Sequence, residues 1–310
     1  MPATKIGVRD RLHRFDMRYT PYILIAPFFL LFLVFGLFPL IFNGAVSLRT
    51  WRLDDPTRDG WAGFENFTRL FGDTEFWNAL GNTFGIFLLS TVPQLFAALI
   101  IANILNRRLR ATTWFRVGAL LPYITPVVAS TLIFDVVFAK QYGLANWVLS
   151  LGGVDGVDWR AEKWSSWLAI ATMVNWKWIG YNALLYLAAM QSVPRDLYEA
   201  SALDGASPWK QLWKITVPGI RPVVIFTVVL STIGGLQLFT EPMLFEPNPQ
   251  AATGGARGEW QTIAQLIYKV GWKDLNLGYA AAMSWALFLI IVIVAIVNAL
   301  ITNRVGGGKK

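Results

Sequence analysis

Six long, predominantly apolar stretches divide the chain, at residues 22–42, 79–105, 114–139, 166–190, 219–240 and 278–302. An α-helix rises about 1.5 Å per residue, so roughly 20 such residues cross the hydrocarbon core of a bilayer. None of the six alternates apolar and polar residues with a period of two, as the short strands of a membrane barrel do. Helices satisfy every backbone group internally, which lipid demands. The pattern predicts an all-α polytopic membrane protein with six transmembrane helices. It divides into a tail at 1–21, a membrane domain at 22–302 and a second tail at 303–310.

Composition agrees with a membrane class. Hydrophobic residues make up 55% of the 310 positions and charged residues 15%, with a mean hydropathy of +0.46. A soluble domain is nearer about 45–50% and about 25%. The net charge of +8 lies between the apolar runs rather than on a soluble face, which fits topogenic charge and argues against nucleic acid. With the amino terminus inside, sixteen Lys and Arg fall on the cytoplasmic side, ten fall outside and Lys177 lies within a span. The excess predicts that both termini are cytoplasmic. The first run is too long for the apolar core of a cleavable signal and is expected to remain as a span. Cysteine is absent and the single histidine, His13, sits in a basic tail. No thiolate nucleophile or clustered metal ligand set is expected.

Two outer loops interrupt the apolar pattern. Residues 48–78 mix acids with Trp51, Trp61, Phe64 and Phe67 and read as a short folded cap. The loop at 241–277 has a flexible centre from Pro247-Asn248-Pro249 to Gly254-Gly255, then a stretch from Trp260 to Tyr268 that reads as an interfacial helix. Its glycines lack the Lys-Ser/Thr ending of a phosphate loop. No strong internal repeat is evident.

A polar, small-residue island occupies the inner loop at 192–218. Pro194 suits a helix start, Arg195 to Leu203 contains no breaker, and Gly205 suits a stop. Ala200, Ser201, Ala202, Gly205 and Ala206 allow close approach of another surface, while Glu199 and Asp204 supply negative charge. Ser207 and Pro208 restart the helix, which is expected to show Trp209, Leu212 and Trp213 on one face and Lys210 and Lys214 opposite, as an interfacial strap does.

Glu199-Ala200, then Asp204-Gly205-Ala206, then Ile215 and Pro218, resembles the cytoplasmic loop motif of binding-protein-dependent ABC importer permeases. Ser201, Trp213 and Val217 depart from the usual Ala, Phe and Leu. Further likeness covers nearly the whole chain: Pro27 and Pro39 in the first span, Leu121-Pro122, Trp176 to Gly180, Pro194 to Tyr198 and Gly278 to Ala282 all resemble the carbohydrate-uptake branch, and the leading span the first of its paired permease subunits. The resemblance implies a type I ABC importer permease fold in the bacterial cytoplasmic (inner) membrane. It also implies a homologous second permease, two ATPase subunits, an extracytoplasmic substrate-binding protein and a carbohydrate substrate. By the same resemblance Glu199, Ala200, Ser201, Asp204, Gly205 and Ala206 couple to an ATPase. No cofactor is expected on this chain, since Mg-ATP belongs to the ATPase.

Sugars present hydroxyl edges and apolar C–H faces, so their sites combine amides or carboxylates with aromatic plates. Gln237 and Glu241, after Gly234-Gly235, provide that mixture, with Trp176 and Asn182 behind them. Lys177 is an intramembrane charge, which costs about 2.5–3.5 kcal/mol at a helix centre and marks either a pathway or a packing contact. Asp135 is a candidate partner for it. Two other function classes compete with an ABC permease. An ion-gradient-driven secondary transporter needs coupling acids in the bundle, where only Asp135 is available; a membrane enzyme needs a convergent nucleophile or metal set. Within the ABC reading the substrate is a di- or oligosaccharide, of cellobiose or trehalose type, with a glycerophosphodiester as the alternative.

Overall fold

Wherever the chain is apolar it forms helices, and the described residues contain no strand, only isolated bridges pairing Arg49 with Trp61 and Arg52 with Asn276. The computed structural model describes residues 8–55, 57, 59–107, 112–246 and 253–306. Lys5, Arg108, Arg110, Lys309, Lys310 and the stretch Pro247-Asn248-Pro249, the start of the expected flexible centre, lie outside them.

Helix α1 (Val8–Phe32) runs through a π turn (Leu33–Leu37) into α2 (Phe38–Ser47). The wide turn falls just before Pro39, whose ring and missing N–H disturb regular i→i−4 bonding. A short helix, α3 (Glu65–Gly72), precedes the long α4 (Thr74–Leu105), whose N-cap Asp73 accepts hydrogen bonds from the Glu75 and Phe76 N–H groups. Next come α5 (Thr112–Ile124), α6 (Val127–Val137), α7 (Leu144–Leu151) and α8 (Lys163–Met190). The inner loop holds α9 (Arg195–Leu203), α10 (Pro208–Gln211), a π turn (Leu212–Thr216) and α11 (Val217–Gly219). The chain finishes with α12 (Arg221–Leu236), α13 (Thr240–Leu244), α14 (Ile263–Tyr268) and α15 (Leu277–Gly306).

Two of the expected spans are not straight. The third breaks between α5 and α6, which meet at 93°. Pro126 removes a donor and pushes Thr125 out of the helical region, while the Thr125 hydroxyl donates to the Leu121 carbonyl at 2.8 Å. The fifth is short: α12 stops at Leu236 rather than 240, and lies at 79° to the helical segment that precedes it. By length and apolarity residues 16–47, 74–105 and 277–298 cross a membrane unaided. The polar residues Asn175, Lys177 and Asn182 within its length set α8 apart from them.

The most extensive helix pair is α4 with α8. Ala98, Ala102 and Ala183 are wholly buried in it, and the Asn175 amide donates to the Leu89 carbonyl at 3.3 Å. Lipid is as apolar as leucine, so helices associate in it through close packing and hydrogen bonds. Small residues and one amide supply both here. Three buried clusters stack along the pair: an outer one with Phe76, Ile263 and Met283, a second with Ile86, Trp167 and Ile170, and an inner one with Leu99, Tyr186 and Met190. Helix α5 crosses α8 where Gly180 meets Ala119.

The first outer loop is a folded cap, as expected: Arg49 pairs with Asp59 at 2.9 Å, and the Asn66 amide donates to the Ser47 and Arg49 carbonyls, both at 2.9 Å. The second outer loop corrects the expectation of an interfacial helix. Trp260 is only 1% exposed, and Gln261, Thr262, Ile263 and Gln265 are likewise buried. Several of their polar groups find partners inside: Thr262 and Gln265 form a capping box, the Ile263 N–H donates to the Thr83 hydroxyl at 2.9 Å, and the Asn82 amide donates to the Gln261 carbonyl at 2.9 Å, while the side-chain nitrogens of Trp260 and Gln261 have no partner among the described residues. Those bonds offset part of the cost of burying a polar segment. Gly254 and Gly255 form the turn that was expected, with φ of +67° and +94°.

A Cβ at Gly180 stands 1.7 Å from the Ala119 carbonyl oxygen, whereas one at Gly81 meets nothing within 4 Å. Gly180→Ala is expected to force α5 from α8 and cost about 1–3 kcal/mol. Gly81→Ala should instead stabilise α4 by about 0.5–1 kcal/mol. Thermal unfolding of both purified variants in detergent checks the contrast; equal melting temperatures contradict it.

Candidate functional site

The inner loop is built as a projecting helix with a tight exit. Pro194 occupies the N-cap of α9, and Asp204 its C-cap. Gly205 follows at φ +74°, the left-handed conformation that glycine adopts without strain. The Ala206 N–H donates to the Ser201 carbonyl at 2.9 Å and the Gly205 N–H to the Ala202 carbonyl at 3.0 Å, which completes a Schellman end. The Ser207 hydroxyl then caps α10 by accepting from the Lys210 N–H, with Pro208 at the first helical position.

Glu199, Ala200, Asp204 and Gly205 are exposed, with Ser201 and Ala206 half-buried beside them. Leu203, at the tip, is 91% exposed. Behind this surface α9 is tied to the strap. The Tyr198 hydroxyl shares a hydrogen bond with that of Thr216 at 2.9 Å, and the Gln211 amide donates to the Ser201 hydroxyl at 2.9 Å and the Tyr198 carbonyl at 3.2 Å.

One expectation for the strap is corrected. Trp209 and Trp213 are exposed and pack edge to face at 5.7 Å, but Leu212 is 1% exposed and does not share their face. The π turn that begins at Leu212 rotates it inward, into the inner cluster with Leu99, Tyr186 and Met190. Movement of α9 therefore has a packed route to α4 and α8.

A cleft of about 520 Å³ opens between α4, α5, α8 and α12. Three expected residues line it: Asn182, Gln237 and Glu241. Gln237 and Glu241 come together because α12 ends at Leu236 and the chain unwinds before α13. Gly235 permits the close approach of α12 to α4, since a Cβ there lies 2.7 Å from the Phe87 ring.

Trp176 and Lys177 do not line the cleft. Trp176 packs edge to face on Phe134 at 5.5 Å. Lys177 is half-buried, and no ion pair or hydrogen bond within the described residues engages it. Its candidate partner is taken: Asp135 pairs with Arg160, which also donates to the Phe245 carbonyl at 2.9 Å.

The cleft holds residues that the sequence reading passed over. Tyr123 stacks on Tyr181 at 4.6 Å, and Trp178 meets both rings edge to face, at 5.2 Å and 5.8 Å. Ser90, Thr91 and Gln94 face them from α4. The spacing of Trp178, Tyr181 and Asn182 on one helical face was available as a signal; the contribution of Tyr123 depends on the break beside it. Aromatic plates, three amides, hydroxyls and one carboxylate suit a polyhydroxylated ligand with apolar faces.

Elsewhere, the Lys140 ammonium lies 2.9 Å from Asp158 and holds its carboxyl below the usual range by hydrogen bonding. Among the described residues no group of three or more His, Cys, Asp or Glu is arranged to hold a metal.

Residues 94–307 match the family described as binding-protein-dependent transport system inner membrane component. The arabinooligosaccharide transport permease AraP of Halalkalibacterium halodurans is 32% identical over 301 residues, covering 95% of this chain and 91% of that protein. The lactose transport permease LacF of Rhizobium radiobacter is 32% identical over 277 residues, with coverage of 88% and 91%. The trehalose/maltose transport permease MalF of Thermococcus litoralis is 30% identical over 276 residues, with coverage of 89% and 91%. In fold, the chain superposes on a bacterial ABC transporter involved in alginate import with a TM-score of 0.76, at 23% identity, over 95% of this chain and 99% of that one. By family match and by likeness along nearly its whole length, the chain belongs to the binding-protein-dependent transport system inner membrane components, within the branch of carbohydrate ABC importer permeases.

Proposed function

We propose that this permease imports a di- or oligosaccharide through the Tyr123–Tyr181 cleft, with a homologous second permease, and that α9 seats on one of two ATPase subunits which bind Mg-ATP. An extracytoplasmic binding protein delivers the sugar. Both termini and the loop at 192–218 face the cytoplasm, a reading supported by the Lys and Arg excess on that side. Glu199, Ala200, Ser201, Asp204, Gly205 and Ala206 form the coupling surface. The observation that carries the reading is Leu212, which joins the coupling loop to the helices that line the cleft. Closure of the ATPase pair pushes on α9, and the inner cluster transmits the displacement to α4 and α8.

The second permease has support in the first helix. None of its apolar window, within residues 16–47, is buried by the rest of this chain. Lys177 is proposed to meet the pathway or the second permease, because no counter-charge engages it among the described residues. A secondary transporter is disfavoured: Asp135, the acid it requires, is neutralised by Arg160. One observation favours a glycerophosphodiester substrate, the free cation of Lys177, and a relative in Salmonella choleraesuis transports sn-glycerol-3-phosphate, 31% identical over 292 residues. A neutral sugar is preferred because the cleft itself presents the Glu241 carboxylate and not Lys177. Ligand screening of the cognate binding protein decides between them.

Gly205→Trp is expected to abolish uptake and release the ATPase while the chain stays in the membrane, since the position requires positive φ and lies on the docking face. Unchanged uptake by a stably inserted variant sinks the coupling assignment. In the cleft, Tyr181→Ala removes the stacking plate and should lower sugar uptake about tenfold, the scale of a lost aromatic contact. Lys177→Ala should alter uptake without detaching the ATPase; a loss of protein abundance alone would reduce Lys177 to a packing role.

A further inference from the structure

A second cleft, of about 710 Å³, lies at the inner roots of the helices, and of its charged lining the transport cycle described above uses only Glu199. Three arginines line it from three separate elements: Arg107 beyond the end of α4, Arg116 on α5 and Arg195 at the start of α9. Glu199 is the one acid among the lining residues. No ion pair or hydrogen bond within the described residues engages any of the three guanidinium groups.

Topogenic charge alone explains why basic residues are present on this side, but not why three of them converge on one cavity. Like charges gathered around a cleft repel one another and favour an anion between them. Arginine presents a planar fork of donors matched to phosphate oxygens, and here all three are arginine rather than lysine. The remaining lining narrows the ligand. Leu105, Met190 and Val193 are buried members of the inner cluster and give the cleft an apolar wall beside its charged rim. A free phosphate has no use for that wall. A glycerophospholipid does, because its phosphodiester meets the arginines while its proximal methylenes pack on the wall.

We propose that this cleft binds the phosphodiester headgroup of an anionic glycerophospholipid of the inner leaflet. The inference rests on the proposed cytoplasmic placement of the 192–218 loop. Arg195 and Glu199 belong both to the cleft and to α9, so the bound headgroup sits against the coupling helix. A lipid there favours one position of α9, which makes the coupling step responsive to the lipid composition of the membrane.

The test is native mass spectrometry of the assembled transporter, delipidated and then titrated with phosphatidylglycerol, with phosphatidylcholine, or with inorganic phosphate. Adding one basic contact near a membrane surface strengthens anionic lipid binding about fivefold, so the variant R107Q/R116Q/R195Q should bind its first phosphatidylglycerol about a hundredfold more weakly than the unsubstituted transporter. The corresponding triple lysine variant should recover most of that affinity, and phosphatidylcholine binding should be the same in all three proteins. Should the triple glutamine variant fail to assemble, R116Q alone, on an exposed stretch of α5, should show the fivefold loss.

Equal phosphatidylglycerol affinity in the glutamine variants overturns the proposal. Inorganic phosphate displacing the lipid at comparable concentration overturns it in favour of a soluble-anion site. Absence of a tight lipid in the assembled transporter, with one appearing once the ATPase is stripped away, overturns it in favour of an acidic segment of that subunit. Lipid stoichiometry is read independently of transport, so failure here is distinguishable from failure of the coupling assignment, which the Gly205→Trp uptake assay reports.

Discussion

The close packing of α4 against α8 is the interaction on which the other elements depend. It is made from alanines and a glycine rather than large aliphatic side chains: Ala98, Ala102 and Ala183 are fully buried, and the Trp167 ring lies so close over Gly85 that a Cβ there would come within 2.1 Å of it. In lipid the apolar surface of a helix gains nothing by turning to another helix, so contact distance and hydrogen bonds decide which pairs form. The Asn175 amide, bonded across to Leu89, fixes the register of the pair. From this pair the cleft takes Ser90, Thr91 and Gln94 on one wall and Trp178, Tyr181 and Asn182 on the other.

Both ends of the pair are closed by segments that are polar in sequence yet buried in structure. At the outer end, Gln261, Thr262 and Gln265 sink against α4, where the Gln261 carbonyl is bonded by Asn82, the Ile263 N–H by Thr83, and Thr262 and Gln265 by their own capping box. At the inner end, Leu212 enters the cluster around Tyr186 and Met190, while Trp209 and Trp213 remain outside. The two closures differ in kind. The outer one is held by hydrogen bonds, which are directional and resist sliding; the inner one is held by an apolar side chain in a small-residue setting, a contact that tolerates displacement.

Much of the site was legible from local chemistry. The limits of α9 were set by Pro194 and Gly205 because the first lacks an N–H and the second adopts positive φ, and both effects act within a single turn. Gln237 and Glu241 were found because the paired glycines before them mark a place where a helix can end or pack closely. Trp176 and Lys177 were drawn in by the same local polarity as Asn182, yet neither lines the cleft: Trp176 packs on Phe134, and Lys177 lies one turn of α8 before Tyr181. Asp135 carried no local sign of its partner, since Arg160 lies on a different element and reaches it only after the outer segment folds back.

The sequence by itself determined the class of the protein, its helical segments and its exposed polar loop at 192–218, because hydrophobic length, charge asymmetry and the turn residues act over short stretches and need no distant contact. The bend at Thr125–Pro126, the inward turn of Leu212, the burial of α14 and the meeting of Tyr123 with Tyr181 were decided only by the tertiary structure. Each depends on which helix face a neighbour covers, and in a membrane, where every face of a span is apolar, hydrophobic periodicity carries little of that information.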